Sequence, residues 1–126
     1  MPFDWSQFAT IAGALVKAVT TSLPPSQTDE ARLRSAVSRY YYAAHCAARN
    51  RLRREGIHFH RDARDHRDVW NALTNSRDNT RRQQAGSRLR MLFDARRKAD
   101  YDDDIDDLMG LTRDSHSYAT FVLGCL

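Results

Sequence analysis

Apolar residues recur along this chain at intervals of three and four, the period that gathers them on one stripe of an α-helix. Trp5, Phe8, Ala12, Leu15 and Val19 follow that spacing and predict a first helix from about Asp4 to Ser22, ended by Pro24 and Pro25. Ser26, Thr28 and Asp29 are cap-type residues, whose side-chain oxygens accept from the unpaired N–H groups of a helix start. Behind them Leu33, Val37, Tyr41, Ala44, Ala48 and Leu52 predict a long second helix to about Arg54, stopped by Gly56. The stretch from Ile57 to Arg64 has no apolar period and reads as a loop, whereas His66, Val69, Trp70 and Leu73 predict a shorter third helix. After a polar turn from Asn75 to Thr80, Ala85, Leu89, Leu92, Phe93 and Arg96 predict a fourth, weakened at Gly86 and reaching about Lys98. Ile105, Leu108, Met109, Thr112, Ala119 and Val122 predict a fifth, with Asp102 to Asp104 where negative charge favours a helix N-terminus. Strand-type alternation is absent. The expected fold is all-α, an antiparallel up-and-down bundle of four to five helices forming one domain over residues 1–126.

A length of 126 residues with 41% hydrophobic side chains suits one domain with one core. Cys46 lies inside the second helical pattern and Cys125 near the end of the sequence, which is no disulfide framework and fits reduced thiols in a cytoplasm. The apolar stretch from Phe8 to Val19 is interrupted by Thr10 and Lys17 and preceded by Asp4, so it matches neither a signal peptide nor a membrane span. Lys and Arg outnumber Asp and Glu by 20 to 16, and only Lys17 and Lys98 are lysines. Guanidinium groups bind phosphate bidentately and stack on bases, so the bias favours a nucleic-acid or nucleotide partner. A GC-rich genome supplying Arg for Lys explains it equally well.

At 100° per residue, Leu33, Val37, Tyr40, Tyr41, Ala44, Ala47 and Ala48 share the core side of the second helix, where small alanines permit close helix approach. Its other side carries Arg39, Tyr42, Cys46, Arg49, Asn50 and Arg53. A solvated face seldom spends a phenol and a thiol this way, so this side reads as a dimer interface or a phosphate-contacting surface. The string Ser38-Arg39-Tyr40-Tyr41-Tyr42-Ala43-Ala44-His45-Cys46-Ala47-Ala48-Arg49 resembles the motif helix of HEPN-domain proteins, which occur beside nucleotidyltransferases in prokaryotic genomes. The segment from Leu89 through Arg96-Arg97-Lys98-Ala99-Asp100-Tyr101-Asp102 is similar to a later motif of the same group, and the resemblance spans roughly residues 28 to 124.

The resemblance implies a helical bundle that often homodimerises and takes RNA or nucleotides as ligands. Many such proteins are metal-independent endoribonucleases acting as toxins or in phage defence; others only bind, or serve as partner subunits of a nucleotidyltransferase able to modify their tyrosines. It also implies a structural role for Asp100 and Tyr101 against the Arg-rich helix, with Arg39 as the expected partner.

Ribonuclease members are marked by an Arg followed, four to six residues later, by a His. In cleavage by the 2′-hydroxyl, the imidazole moves a proton near neutral pH and the guanidinium stabilises charge on the phosphorane. Several pairs qualify here: Arg39 with His45, Arg51 or Arg53 with His58, Arg53 or Arg54 with His60, and Arg61 with His66. Arginine is so frequent that the spacing alone does not choose among them. Residues six apart on a helix diverge by about 120°, so Arg39 aligns with Cys46 rather than His45. The family often has His where Cys46 stands, with an aromatic just before it; here His45 takes the aromatic's place. That favours a core-flanking role for His45, unless an Arg from a second subunit joins it.

His58, His60 and His66 could offer three imidazoles to zinc, but no helical i, i+4 pair fixes them and no cysteine is near. The acidic run Asp100, Asp102, Asp103, Asp104, Asp106 and Asp107 lacks the Gly and closing Glu of a calcium loop and reads as capping and charge pairing beside Arg96-Arg97-Lys98. No metal or cofactor is expected, and no Gly-rich phosphate loop or nucleophile elbow is present. Two functions remain: a non-catalytic RNA- or nucleotide-binding or partner subunit in a toxin-antitoxin or defence setting, and a metal-independent endoribonuclease toxin using an Arg/His pair across a dimer.

Overall fold

A computed structural model describes residues 2–20 and 24–126. Five helices account for the architecture: α1 (Gln7–Lys17), α2 (Gln27–Arg54), α3 (Arg64–Thr74), α4 (Thr80–Tyr101) and α5 (Leu108–Gly124), and among the described residues there is no strand. The all-α bundle expected from the apolar period is the fold observed. No described helix is long and apolar enough to cross a membrane.

Helix α2 begins as its sequence predicts. Ser26 is extended and its hydroxyl accepts from Asp29 N at 3.0 Å, with Asp29 and Glu30 in the first turn. It ends in a Schellman closure: Gly56 N donates to Arg53 O and Ile57 N to Leu52 O, which requires the left-handed φ of +95° that Gly56 adopts without penalty.

Helix α1 is shorter than its apolar stripe. Asp4 folds back to accept from Ser6 N and Oγ, so the helix starts only at Gln7 and Trp5 lies in the preceding turn. It closes after Lys17, well before the prolines. Val19 and Thr20 are β-branched, and Thr20 commits its N–H and hydroxyl to the buried carboxylate of Asp29, at 3.3 and 2.6 Å. The predicted end at Ser22 falls outside the described residues.

Helix α4 runs unbroken through Gly86 to Tyr101, with Asn79 as its N-cap. Gly86 is there for contact rather than flexibility, because α3 packs directly against it. Helix α5 starts later than the acidic run suggested. Asp107, not Asp102 to Asp104, caps it by accepting from Gly110 N at 2.9 Å, and its first turn holds no acid.

Helix α2 contacts all four others. Fully buried Leu33, Leu52, Leu73, Leu89 and Leu92, with Val69, Val122 and Tyr41, form the core around it, each aliphatic side chain contributing roughly 1.5–3 kcal/mol. Ala36, Ala43, Ala44 and Ala48 are also fully buried and let the neighbours approach closely. The end-to-end pairing is fixed by two arginines. Arg34 near the start of α2 donates to the carbonyls of Ala99, Asp102 and Asp103 at the end of α4, and Arg82 at the start of α4 pairs with Glu55 at the end of α2. Helices α2 and α4 are therefore antiparallel. Because His66 meets Phe93 and Thr74 meets Gly86, α3 runs antiparallel to α4 and in the same sense as α2. The connection from Glu55 to Ala63 doubles back to allow this, and up-and-down alternation is interrupted once.

A Cβ on Gly86 would overlap Thr74 Oγ1 and come within 2.7 Å of Thr74 N and Trp70 O. Alanine is intrinsically better than glycine in a helix by about 1 kcal/mol. Gly86→Ala is nevertheless expected to lower stability by about 1–3 kcal/mol, read from urea midpoints, because two of the obstacles are backbone atoms that cannot yield. A variant as stable as the parent would show that α3 and α4 are not held this close.

Candidate functional site

The loop that returns the chain to α3 builds one wall of a cleft, and α2 builds the other. Asp65, in the first turn of α3 and only 7% exposed, accepts from His60 N and Arg61 N, both at 2.8 Å. These two bonds pin the loop and hold Arg61 in a left-handed conformation, φ +59°. Asp62 pairs with Arg64 at 2.7 Å. The cleft of about 440 Å³ is lined by Tyr42, His45, Cys46, Arg49 and Arg53 of α2 and by Arg61, Asp62, Asp65 and His66 opposite. Arg49, Arg53 and Arg61 have no carboxylate partner among the described residues.

Its floor is a stack of rings from three helices. Tyr41 and His45 lie nearly parallel, centroids 5.4 Å apart, and His66 sits 4.9 Å from His45 and 5.3 Å from Phe93. Arg96, 9% exposed, reaches in from α4 with its guanidinium carbon 5.5, 5.7 and 5.2 Å from the rings of Tyr41, Tyr42 and Phe93. Its loose pairing with Asp100, at 3.4 Å, leaves Nε without a partner, and the three rings offset part of the cost of burying that charge.

The proton inventory of this floor follows from burial. The Tyr41 hydroxyl is fully withdrawn from water, and His66 Nδ1, at 2.5 Å, is its one partner among the described residues. An O–H left without an acceptor there would cost about 1–3 kcal/mol, so the hydroxyl donates and Nδ1 accepts. His66 is then neutral with its proton on Nε2. Burial and the nearby Arg96 hold its pKa below the ordinary value, which favours the same state. His45 is pushed down to about 3, chiefly by burial and then by its neighbours His66, which counts only once it is itself protonated, Arg49 and Arg96. Burial raises the Tyr41 phenol and the Cys46 thiol, so neither is an anion near neutral pH. The cleft therefore offers guanidinium charge, an N–H donor and no thiolate nucleophile.

Of the residues singled out from sequence, Tyr42, His45, Cys46, Arg49, Arg53, Arg61 and His66 come together here. His58 and His60 are exposed and Arg54 points to a different groove, beside Phe3 and Trp5. Arg39 also stands apart, with its guanidinium carbon 5.0 Å from the Phe8 ring centroid. Of the four Arg/His pairings, only Arg61 with His66 has both members in the cleft. Cys46 is buried rather than displayed, because α3 and the loop cover that side of α2. The imidazoles of His58, His60 and His66 are not grouped, and among the described residues no set of three His, Cys, Asp or Glu is placed to hold a metal.

The expected contact of Asp100 and Tyr101 with Arg39 is not formed. Asp100 pairs within its own helix to Arg96, and Tyr101 is 74% exposed. Arg34 makes the α2–α4 link instead, through backbone carbonyls freed by the end of α4. Sequence reasoning missed Arg96, Asp65 and the polar role of Tyr41. Arg96 did leave a signal, since it is a charged residue standing at an apolar-period position of α4. No family model, characterised protein or solved structure matches this chain.

His45 gives a pH test of this arrangement. Below about pH 6.5 the unfolded chain takes up a proton that the folded chain refuses until about pH 3, so stability falls as pH drops through that window. The loss is on the order of 3 kcal/mol at pH 4. His45→Phe, which keeps the stack on Tyr41 and removes the titrating ring, should flatten the fall in melting temperature between pH 7 and 4. An unchanged slope would place His45 in contact with water.

Proposed function

We propose that this chain is a HEPN-like protein that binds RNA or a nucleotide by its phosphates in the cleft between α2 and the start of α3. In this reading it acts as a binding or partner subunit in a toxin-antitoxin or defence setting. One observation carries it: Arg49, Arg53 and Arg61, none paired with a carboxylate among the described residues, line a cleft floored by neutral imidazoles, where Asp62 is taken up by Arg64 and Asp65 by backbone N–H groups. Neutral His66 presents an N–H donor that suits a phosphate oxygen and does not compete for charge. The resemblance of the Ser38–Arg49 and Leu89–Asp102 segments supports the choice of RNA or nucleotide, a homodimer, and a nucleotidyltransferase as partner.

A second reading, the metal-independent endoribonuclease, is favoured by Arg61 and His66 lying in the same cleft. There His66 accepts the 2′-hydroxyl proton and Arg61 offsets charge on the phosphorane. With Tyr41 donating to Nδ1, Nε2 already carries a proton, so the ring must exchange tautomers before it can act as a base. Binding is therefore the first reading and cleavage the second.

Fluorescence anisotropy with a labelled single-stranded RNA tests both. Arg53→Ala/Arg61→Ala should weaken binding and reduce the slope of log K against log salt by about 0.7 for each arginine removed. The same RNA incubated in EDTA should stay intact; cleavage abolished by His66→Ala and kept by His58→Ala/His60→Ala would establish the second reading. Wild-type affinity and salt slope in the arginine variant would remove the cleft as the ligand site.

A further inference from the structure

The cleft has a neighbour across α2. Before α1, Phe3, Trp5 and Phe8 form a mutual edge-to-face cluster, with centroids 5.0 to 5.8 Å apart. Such a cluster at a bundle end ordinarily faces inward, yet Phe3 is 54% exposed and Trp5 only half-buried. An open groove of about 440 Å³ runs beside Phe3 and Trp5, with Asn50 and Arg54 of α2 on its far side. Two guanidinium groups already lie on these rings, Arg39 near Phe8 and Arg49 near Trp5, at 5.0 and 5.7 Å from the centroids. Neither has a carboxylate partner among the described residues. Asp4, the acid at the groove, is turned onto Ser6.

Arg49 joins the two concavities. Its guanidinium stands over Trp5, its Nε donates to Asn50 Oδ1, and its side chain also lines the cleft with His45 and His66. A ligand phosphate held by Arg49, Arg53 and Arg61 would therefore place the adjoining nucleotide at the aromatic groove. Accessible aromatic side chains flanked by arginines are what unpaired bases stack on, whereas the bases of a duplex are already stacked on each other.

We propose that Phe3 and Trp5 form a base-stacking platform continuous with the phosphate cleft through Arg49, and that the ligand is single-stranded nucleic acid read without base-edge specificity. This rests on the cleft reading and adds to it the strandedness of the ligand and a second binding site.

The chain has two tryptophans, Trp5 and Trp70, so Trp70→Phe leaves Trp5 as the single emitter. In that background a short oligouridylate should quench Trp5 emission, and a blunt RNA duplex should not. Phe3→Ala, at a side chain that is 54% exposed, should weaken oligouridylate binding roughly 5- to 100-fold and leave duplex binding unchanged, with circular dichroism confirming the fold. Trp5→Ala should do the same, under the same control. Oligouridylate binding that is lost in Arg53→Ala/Arg61→Ala but indifferent to Phe3→Ala, with Trp5 emission unmoved, would overturn the platform and keep the cleft. Failure of any RNA to bind the wild type would overturn both. A concentration-dependent dimer that dissociates on Phe3→Ala would assign the aromatic cluster to a second copy of the chain and likewise overturn the platform.

Discussion

A helix of 28 residues that packs against four others buries thirteen of its own, and this enclosure of α2 governs the rest of the molecule. It explains the alanines, since larger side chains on every side would hold the neighbours apart. It also explains why the polar residues of α2 have so few options. His45 is almost wholly withdrawn from water at the floor of the cleft, so it stays neutral and is stabilised by stacking on Tyr41. Tyr41 cannot reach water, and its hydroxyl finds the only outlet α3 provides. The chemistry at the floor of the cleft is thus a by-product of packing, and the site cannot be altered there without altering the core.

The arginines divide by the same logic. Where α2 is capped or crossed, they meet acids or carbonyls: Arg32 with Asp29, Arg51 with Glu55, and Arg34 with the end of α4. Where α2 borders the cleft and the aromatic groove, Arg49 and Arg53 meet none. The difference lies in what faces them, because the acidic run of the chain is held at the opposite end of the bundle, between α4 and α5. The acids nearer these arginines are already engaged, Asp62 by Arg64, Asp65 by backbone N–H groups and Asp4 by Ser6.

The apolar period made the five helices legible, and the Ser26 cap and Gly56 stop fixed both ends of α2 because each works through adjacent backbone atoms. Ends decided by distant partners were not legible. Thr20 leaves α1 early for an aspartate nine residues on, and Gly86 reads as a weak point until α3 is seen to fill its missing side chain. The site divides in the same way. Arg61 and His66 were visible as one spacing among several, and only the return of the loop, pinned by Asp65, separates them from the exposed His58 and His60. The partnership of Tyr41, His66 and Arg96 joins three helices and has no local signature. The proposed Arg39 partner for Asp100 failed for that reason: residues on α2 five positions apart face different neighbours, and Arg34 is the one that meets α4.

The Arg34 clasp also bears on how the chain reaches this state. It joins residues 65 to 69 positions apart, a separation more typical of sheet proteins than of helical bundles. Helices α1 and α2 can zip together locally, but the faces of α2 that α4 and α5 cover remain open until those later segments have been made. Those faces carry Val37, Tyr41 and Ala44. During synthesis the hub of the bundle is therefore complete in sequence long before it is complete in contacts, and the interval is one in which an alanine-rich, tyrosine-bearing helix is available to other chains.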